Sequence, residues 1–254
     1  MSSGTAFGVD IGGSGVKGAP VDLETGKCTA DRVRIPTPQP STPQAVAETV
    51  ARVVAAFDGE CTAGPIGITV PCVVTYGVSR TAANVDPAWI DYPAAELMAA
   101  TLDREITLLN DADAAGLAEV YYGAARGQEG LVVVTTLGTG IGTALIHNGV
   151  LIPNSELGHF EIDGVDAEKV ASAGAREKEG LGWGAYAKRL QRYYATLERL
   201  LRPDLFVVGG GISRDSDKFL PRLDLRTPIV PAKLRNRAGI VGAARYAAEN
   251  ISAR

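Results

Sequence analysis

The stretch Leu131–Asp163, LVVVTTLGTGIGTALIHNGVLIPNSELGHFEID, limits what this chain can fold into more than any other. It begins as an apolar, β-branched run, Leu131-Val132-Val133-Val134, and opens into Thr135-Thr136-Leu137-Gly138-Thr139-Gly140-Ile141-Gly142. It returns as a second apolar run, Ala144-Leu145-Ile146, with Asn148-Gly149 as a hairpin turn. A strand that breaks into glycines and hydroxyls leaves backbone N–H groups unobstructed and adds hydroxyl donors, as a phosphate group requires. Glu156 and His159 follow, a carboxylate and an imidazole able to hold hydroxyls by directed hydrogen bonds. A phosphate on one side and a polyol on the other suggest a kinase.

With 254 residues and 46% hydrophobic content, the chain can bury a sizeable core in one large domain or two small ones. A net charge of −4 and a pI near 5.3 offer no general attraction to nucleic acid or an anionic membrane, so neither is expected as a partner. Any anion site must be built locally. Met1-Ser2-Ser3-Gly4-Thr5 carries no secretory pattern, and no apolar run approaches the roughly 20 residues of a membrane span. Cys28, Cys61 and Cys72 are odd in number and widely spaced, which predicts neither a disulfide framework nor a structural zinc site. The expected location is the cytoplasm.

In chain order, Phe7–Ile11 reads as a short strand with Asp10 near its end, followed by Gly12-Gly13-Ser14-Gly15-Val16-Lys17-Gly18. Gly13 to Gly18 satisfies GxGxxG, but the dinucleotide-binding reading requires a helix after the glycines. The residues Val16–Leu23 contain Gly and Pro and look extended, so they read as the second strand of a hairpin. An ordinary glycine-rich hairpin remains open for this stretch alone; Asp10, a possible metal or water ligand, and Lys17, a phosphate partner, weigh against it. Ser41 or Thr42 is expected to cap a helix that begins near Pro43 and carries Val46, Val50, Val53, Val54 and Phe57 inward. In the loop after the strand Ile66–Val70, Asn84 reads as a turn former and Trp89 as a packing residue.

Glu105–Leu109 is a strand that delivers Asn110-Asp111-Ala112-Asp113 at its carboxyl end, where α/β proteins place ligands. Both aspartates can serve as caps for the following helix. Phosphoryl transfer to an alcohol also needs a carboxylate to orient the hydroxyl and take its proton, and we assign Asp111 to that role and Asp113 to the cap. Residues 164–172 read as the start of a helix, and Trp183–Leu201 as a long amphipathic helix closed by Pro203. Leu205–Val208 runs into Gly209-Gly210-Gly211-Ile212-Ser213 and a helix containing Lys218; this is either a ligand-contacting turn or a tight connection. An Ala-rich helix, Ala238–Asn250, ends the chain. Strand–glycines–strand appears twice, at Phe7–Val21 and Leu131–Leu151, and suggests two related α/β halves with a ligand cleft between them. We divide the chain into 1–109 and 110–237, with 238–254 returning to the N-terminal domain.

These motifs together resemble the ROK sugar kinases within the actin/hexokinase-like (ribonuclease H-like) superfold, and most closely their polyphosphate-dependent glucokinase branch. Asp10–Lys17 is similar to the first phosphate motif, Leu137–Gly142 to the second, and Gly209–Ser213 to the motif that closes the nucleotide side. Asn110–Ala114 looks like the sugar and base motif, and Glu156-Leu157-Gly158-His159 like the ExGH clamp. Five motifs in the family's order span nearly the whole chain. The resemblance implies a two-domain α/β fold and glucose held by Asn84, Asn110, Asp111, Glu156, His159 and Glu168. Asp111 would be the catalytic base for the 6-hydroxyl. The donor, polyphosphate or ATP, would meet Asp10, Gly12, Gly13, Ser14, Gly15, Lys17, Thr136, Gly138, Thr139, Gly140, Gly210 and Gly211. Mg²⁺ would assist, with Asp10 as a ligand, and the protein would be a homodimer.

Departures from the family pattern carry information. Many members have a Cys-rich zinc loop after ExGH; here Asp163-Gly164-Val165-Asp166-Ala167-Glu168 replaces it without a cysteine, as in the polyphosphate branch. Family repressors add an N-terminal helix-turn-helix, whereas this chain reaches its first strand by Phe7. Cys72 stands where the family usually has glycine, which raises the question of whether its Cβ disturbs the loop. A polyphosphate chain needs a long cationic track, for which Lys17, Arg189, Arg192, Arg199, Arg214 and Lys218 qualify if they line one groove. The alternatives are a strictly ATP-dependent glucokinase or glucomannokinase, a non-catalytic sugar-binding protein, and an actin-like ATPase. The last would not need the Asn110, Asp111, Glu156 and His159 set.

Overall fold

A computed structural model describes residues 4–57, 59–83 and 85–251, so Asn84 lies outside the described residues. The strands are β1 (Thr5–Gly12), β2 (Gly15–Asp22), β3 (Val33–Ile35), β4 (Ile66–Val70), β5 (Val74–Thr75), β6 (Val78–Ser79), β7 (Ile106–Asn110), β8 (Leu131–Leu137), β9 (Ile141–His147), β10 (Val150–Ile152), β11 (Glu161–Ile162), β12 (Val165–Asp166), β13 (Leu205–Gly209) and β14 (Ile229–Pro231). The α-helices are α1 (Pro43–Ala55), α2 (Gly59–Thr62), α3 (Ala94–Leu102), α4 (Asp111–Tyr122), α5 (Glu168–Ala171), α6 (Ala173–Lys178), α7 (Trp183–Leu201) and α8 (Ala238–Asn250). The chain forms two compact units, Met1–Ala114 with Arg237–Arg254, and Ala115–Asn236.

The first unit is built on a sheet of order β3-β2-β1-β4-β7, in which β1 and β2 form an antiparallel hairpin while β4 and β7 run parallel to β1. Side chains alternate across β1. Phe7, Val9 and Ile11 enter a core with Val46, Val50 and Val53 of α1, whereas Gly8 faces α8. A Cβ at Gly8 would stand 1.9 Å from the Ile240 carbonyl oxygen, so the Ala-rich helix lies almost on the strand backbone. Helix α1 begins as expected: Thr42 accepts from the Ala45 N–H and Pro43 occupies the first turn. Trp89 is 1% exposed and its indole N–H donates to the Ser41 carbonyl at 2.8 Å, a packing role.

The second unit repeats the pattern. Its sheet, β10-β9-β8-β13-β14, has the same sequence of antiparallel and parallel pairings as the first. Asn148 (φ 50°) and Gly149 (φ 81°) make the β9–β10 turn, matching the left-handed geometry such a turn needs. Helix α7 lays Tyr186, Leu190, Tyr193, Tyr194 and Leu197 on Val133, Leu137, Phe206 and Val208. Buried Thr135 and Tyr194 share a hydrogen bond of 2.6 Å. Glu119, 1% exposed, accepts backbone N–H groups from Ala124, Lys233 and Leu234 and ties three chain segments together.

Three local expectations change. The side chain at the start of α4 that accepts the Ala112 and Asp113 N–H groups is Asn110, at 2.8 and 3.2 Å, so Asn110 replaces Asp113 as the cap. Residues 164–172 are not one helix start. Asp163 (φ 54°) and Gly164 (φ 75°) turn the β11–β12 ribbon, and α5 and α6 follow, divided at Ser172. Beyond the Gly209–Gly211 run, the chain takes a kinked 3₁₀ path over Gly211–Lys218 in place of an α-helix.

Candidate active site

In the first unit, the turn Gly13-Ser14 joins β1 to β2 and sets Asp10 opposite Lys17. Lys17 Nζ donates to Asp10 Oδ2 at 3.1 Å, and the buried Thr69 hydroxyl donates to Oδ1 at 3.1 Å. Two further side chains, absent from the sequence reading, fix this turn. Thr37 donates to the Gly12 carbonyl at 2.5 Å, and Arg34 donates to the Ser14 carbonyl at 2.6 Å. A Cβ at Gly15 would stand 2.6 Å from Arg34 Nε, so the guanidinium can cross the turn only over glycine. Lys17 spends one of its three donors on Asp10, which leaves the others for an anion.

Strand β7 ends in Asn110, and α4 starts at Asp111. Asn110 is 8% exposed; its oxygen takes two backbone N–H groups and its Nδ2 donates to the Cys72 carbonyl at 3.1 Å. One amide N–H therefore remains for a ligand. Asp111 is half-buried, and its Oδ1 accepts the Ala112 N–H at 2.9 Å. Cys72, 2% exposed, packs with Val70, Trp89 and Met98, and it is not among the residues held at positive φ. The loop accommodates its side chain in the core.

In the second unit, the β8–β9 turn closes with the Gly138 N–H donating to the Gly140 carbonyl at 3.0 Å. Glu168 Oε2 accepts the Ile141 N–H at 3.0 Å and lies so near that a Cβ on Gly140 would be 2.2 Å from it. The Glu156–His159 segment is pinned to β9: Thr143 Oγ1 accepts the Leu157 N–H at 3.1 Å and donates to the Ser155 carbonyl at 2.6 Å. His159 Nε2 lies 3.8 Å from Glu156 Oε2, and His159 Nδ1 lies 3.1 Å from Asp166 Oδ2. Asp166 was missed in the sequence, although Asp163-Gly164, a hairpin dipeptide, could have signalled the ribbon that carries it. Its hydrogen bond raises the His159 pKa above the ordinary imidazole value, aided by the charges of Glu168, Asp166 and Glu156 against partial burial. Burial raises the Glu156 carboxyl, with His159 opposing and Glu168 adding to the rise. Glu156, His159 and Glu168 therefore form one electrostatic cluster.

At the end of β13, Gly210 (φ 81°) presses on β8, since a Cβ there would stand 2.3 Å from the Leu137 carbonyl oxygen. This brings Gly210-Gly211 beside the strand that leads into Gly138–Gly140. Two arginines on the basic face of α7 are held by carboxylates. Arg189 makes a two-pronged contact with Glu179 at 2.8 and 2.6 Å, Arg192 pairs with Asp163, and Glu161 and Asp163 line the same depression as Arg192 and Arg199. Among the described residues, no group of three or more His, Cys, Asp or Glu side chains could hold a metal ion, and no helix is long and apolar enough to cross a membrane.

Two α/β units with matching sheets, each with a glycine turn between its central antiparallel strands, make the two-domain fold of the actin/hexokinase-like class. The chain belongs to the ROK family, whose model matches residues 6–181. It is 54% identical over 239 residues, 94% of this chain and 89% of the relative, to polyphosphate glucokinase from Mycobacterium tuberculosis. The crystal structure of inorganic polyphosphate/ATP-glucomannokinase from Arthrobacter sp. strain KM superposes with a TM-score of 0.92 at 54% identity, covering 96% of this chain and 98% of that one. A ROK family glucokinase from Streptomyces griseus, in complex with glucose and AMPPNP, shares the fold at a TM-score of 0.82 and 23% identity, covering 97% and 100% of the two chains. The protein is an enzyme, a ROK-family kinase that transfers a phosphoryl group to an alcohol.

Proposed function

We propose that this kinase makes glucose 6-phosphate from glucose, with inorganic polyphosphate and ATP as donors. The observation that carries the reading is the 54% identity, over 94% of the chain, to a protein named polyphosphate glucokinase. In this reading Asn84, Asn110, Asp111, Glu156, His159 and Glu168 hold the sugar. Asp111 accepts the 6-hydroxyl proton as the oxygen attacks the terminal phosphorus in line, and the shortened donor leaves with the bonding electron pair. The amides around Gly12–Gly15, Gly138–Gly140 and Gly210-Gly211, with Ser14, Lys17, Thr136 and Thr139, hold the donor phosphates. Asp10, a single carboxylate already steadied by Lys17 and Thr69, suits an ion that keeps most of its waters and takes phosphate oxygens. Mg²⁺ there would draw negative charge from the phosphates. The protein acts as a homodimer in the cytoplasm.

A second reading, that mannose is also accepted, is favoured by the 54% identity to the Arthrobacter glucomannokinase. Both are tested by assaying hexose 6-phosphate formation from glucose and from mannose, with polyphosphate and ATP supplied separately. Turnover of glucose on polyphosphate supports the proposal. Turnover on ATP alone would replace it with an ATP-dependent kinase, and mannose turnover would favour the broader acceptor range.

A further inference from the structure

The indole of Trp183 is attended by two cations. The guanidinium carbon of Arg176 stands 3.8 Å from the ring centroid and Lys218 Nζ 5.3 Å from it, while Phe219 stacks on the ring at 6.0 Å and 12°. Lys218 is ion-paired with Asp215 at 2.5 Å. Arg176 has no carboxylate within ion-pair distance among the described residues, although its charge helps hold the Asp215 carboxyl below its ordinary range, and its Nε is buried without a hydrogen-bond partner. A guanidinium set over an aromatic face is oriented and partly desolvated, and its terminal N–H groups can still bind an anion.

Its place in the fold indicates which anion. Helix α6, which carries Arg176, starts against the second glycine turn: the Gly174 N–H donates to the Gly138 carbonyl at 2.9 Å, and a Cβ on Gly174 would lie 2.7 Å from the Thr139 carbonyl oxygen. Lys218 ends the 3₁₀ stretch that begins at Gly211. The helix that starts against one glycine turn and the 3₁₀ stretch that leaves the other therefore meet at Trp183.

We propose that Arg176, held by Trp183, is an anchor for donor phosphates beyond the one transferred, with condensed phosphate as its ligand class. This rests on the donor reading above. A planar fork of N–H donors matches phosphate oxygens, and a guanidinium already fixed on a ring loses little freedom when it binds. Arg176 lies outside the basic face of α7, where Arg189 and Arg192 are held by Glu179 and Asp163.

The test uses Arg176→Met, which keeps the aliphatic stem over Trp183 and removes the charge, and Arg176→Lys, which keeps a charge. With Arg176→Met, the donor KM should rise roughly tenfold or more, with partial recovery in Arg176→Lys. Glucose KM, and kcat at saturating donor, should stay within about twofold of the parent. A rise confined to polyphosphate assigns the anchor to the inorganic chain, and a rise with ATP assigns it to nucleotide phosphates. Unchanged KM for both donors, or a glucose KM rising in step, overturns the proposal. In the unmodified protein, polyphosphate should protect Arg176 from phenylglyoxal while glucose does not; equal labelling with and without polyphosphate also overturns it. Should the parent transfer from neither donor, the donor reading fails separately, and calorimetric binding of polyphosphate to parent and Arg176→Met decides the anchor: weaker binding to the variant upholds it, and equal binding overturns it.

Discussion

Asp166 Oδ2 meets His159 Nδ1 at 3.1 Å, and this contact fixes which ring nitrogen of His159 faces Glu156. The other oxygen of Asp166 accepts the Glu168 N–H at 3.1 Å, so one carboxylate positions two of the residues we assign to glucose. A carboxylate partner for imidazole sets tautomer and orientation, and it favours the charged ring.

Asp166→Asn should lower the His159 pKa and raise glucose KM, with donor KM little changed. The chain has two histidines, so the ring signals can be assigned by NMR with a His147→Gln control. The sign follows from the raised His159 pKa. Stability contributed by the pair is complete below the ordinary imidazole pKa and is lost as pH rises through the raised one, so the parent and Asp166→Asn should converge in Tm at alkaline pH. An unchanged His159 titration in the variant would contradict this role.

Asp111→Asn keeps the shape of the start of α4 and removes the proton acceptor. Turnover should fall by roughly 10²- to 10⁴-fold. Glucose should still raise the melting temperature. Near-parental turnover would remove Asp111 from the base role.

Gly140→Ala links the two sides of the site in the second unit. Its Cβ would stand 2.2 Å from Glu168 Oε2, the far end of a flexible side chain, so the fold survives while Glu168 gives up its bond to Ile141. Although Gly140 lies on the phosphate turn, the variant should raise glucose KM roughly fivefold or more. An effect confined to donor KM would show that Glu168 does not serve the sugar.

Glu119→Gln tests the framework. The carboxylate accepts three backbone N–H groups while almost fully buried; an amide can face them with only one oxygen. The expected loss is about 2–4 kcal/mol of stability, measured by denaturant unfolding. Parental stability would mean that these bonds are replaced at no cost.

The elements that locate the site were legible because local chemistry determines them. Glycine turns between apolar β-branched runs, Asn148-Gly149, the Thr42 cap and the stripe of α7 each follow from neighbouring residues. The repeat of strand–glycines–strand has its counterpart in two sheets of identical strand order. The cap of α4 was harder to read, since any Asx side chain at a helix start can cap it and only the turn from β7 into α4 selects Asn110 over Asp113. The pairing of Arg189 and Arg192 on α7 depends on Glu179 and Asp163, 10 and 29 residues away, and no local pattern reports such pairs. Arg176 lies in a short segment with no periodicity to mark it; its significance comes from Trp183 and from the place of α6 against the second glycine turn.

Phosphorus NMR of the protein with glucose, Mg²⁺ and long-chain polyphosphate tests the central claim most directly. The account predicts that a sugar phosphomonoester signal grows as terminal polyphosphate signal is consumed, and that Asp111→Asn nearly abolishes it. No phosphomonoester from either polyphosphate or ATP, or equal formation by the variant, would contradict it.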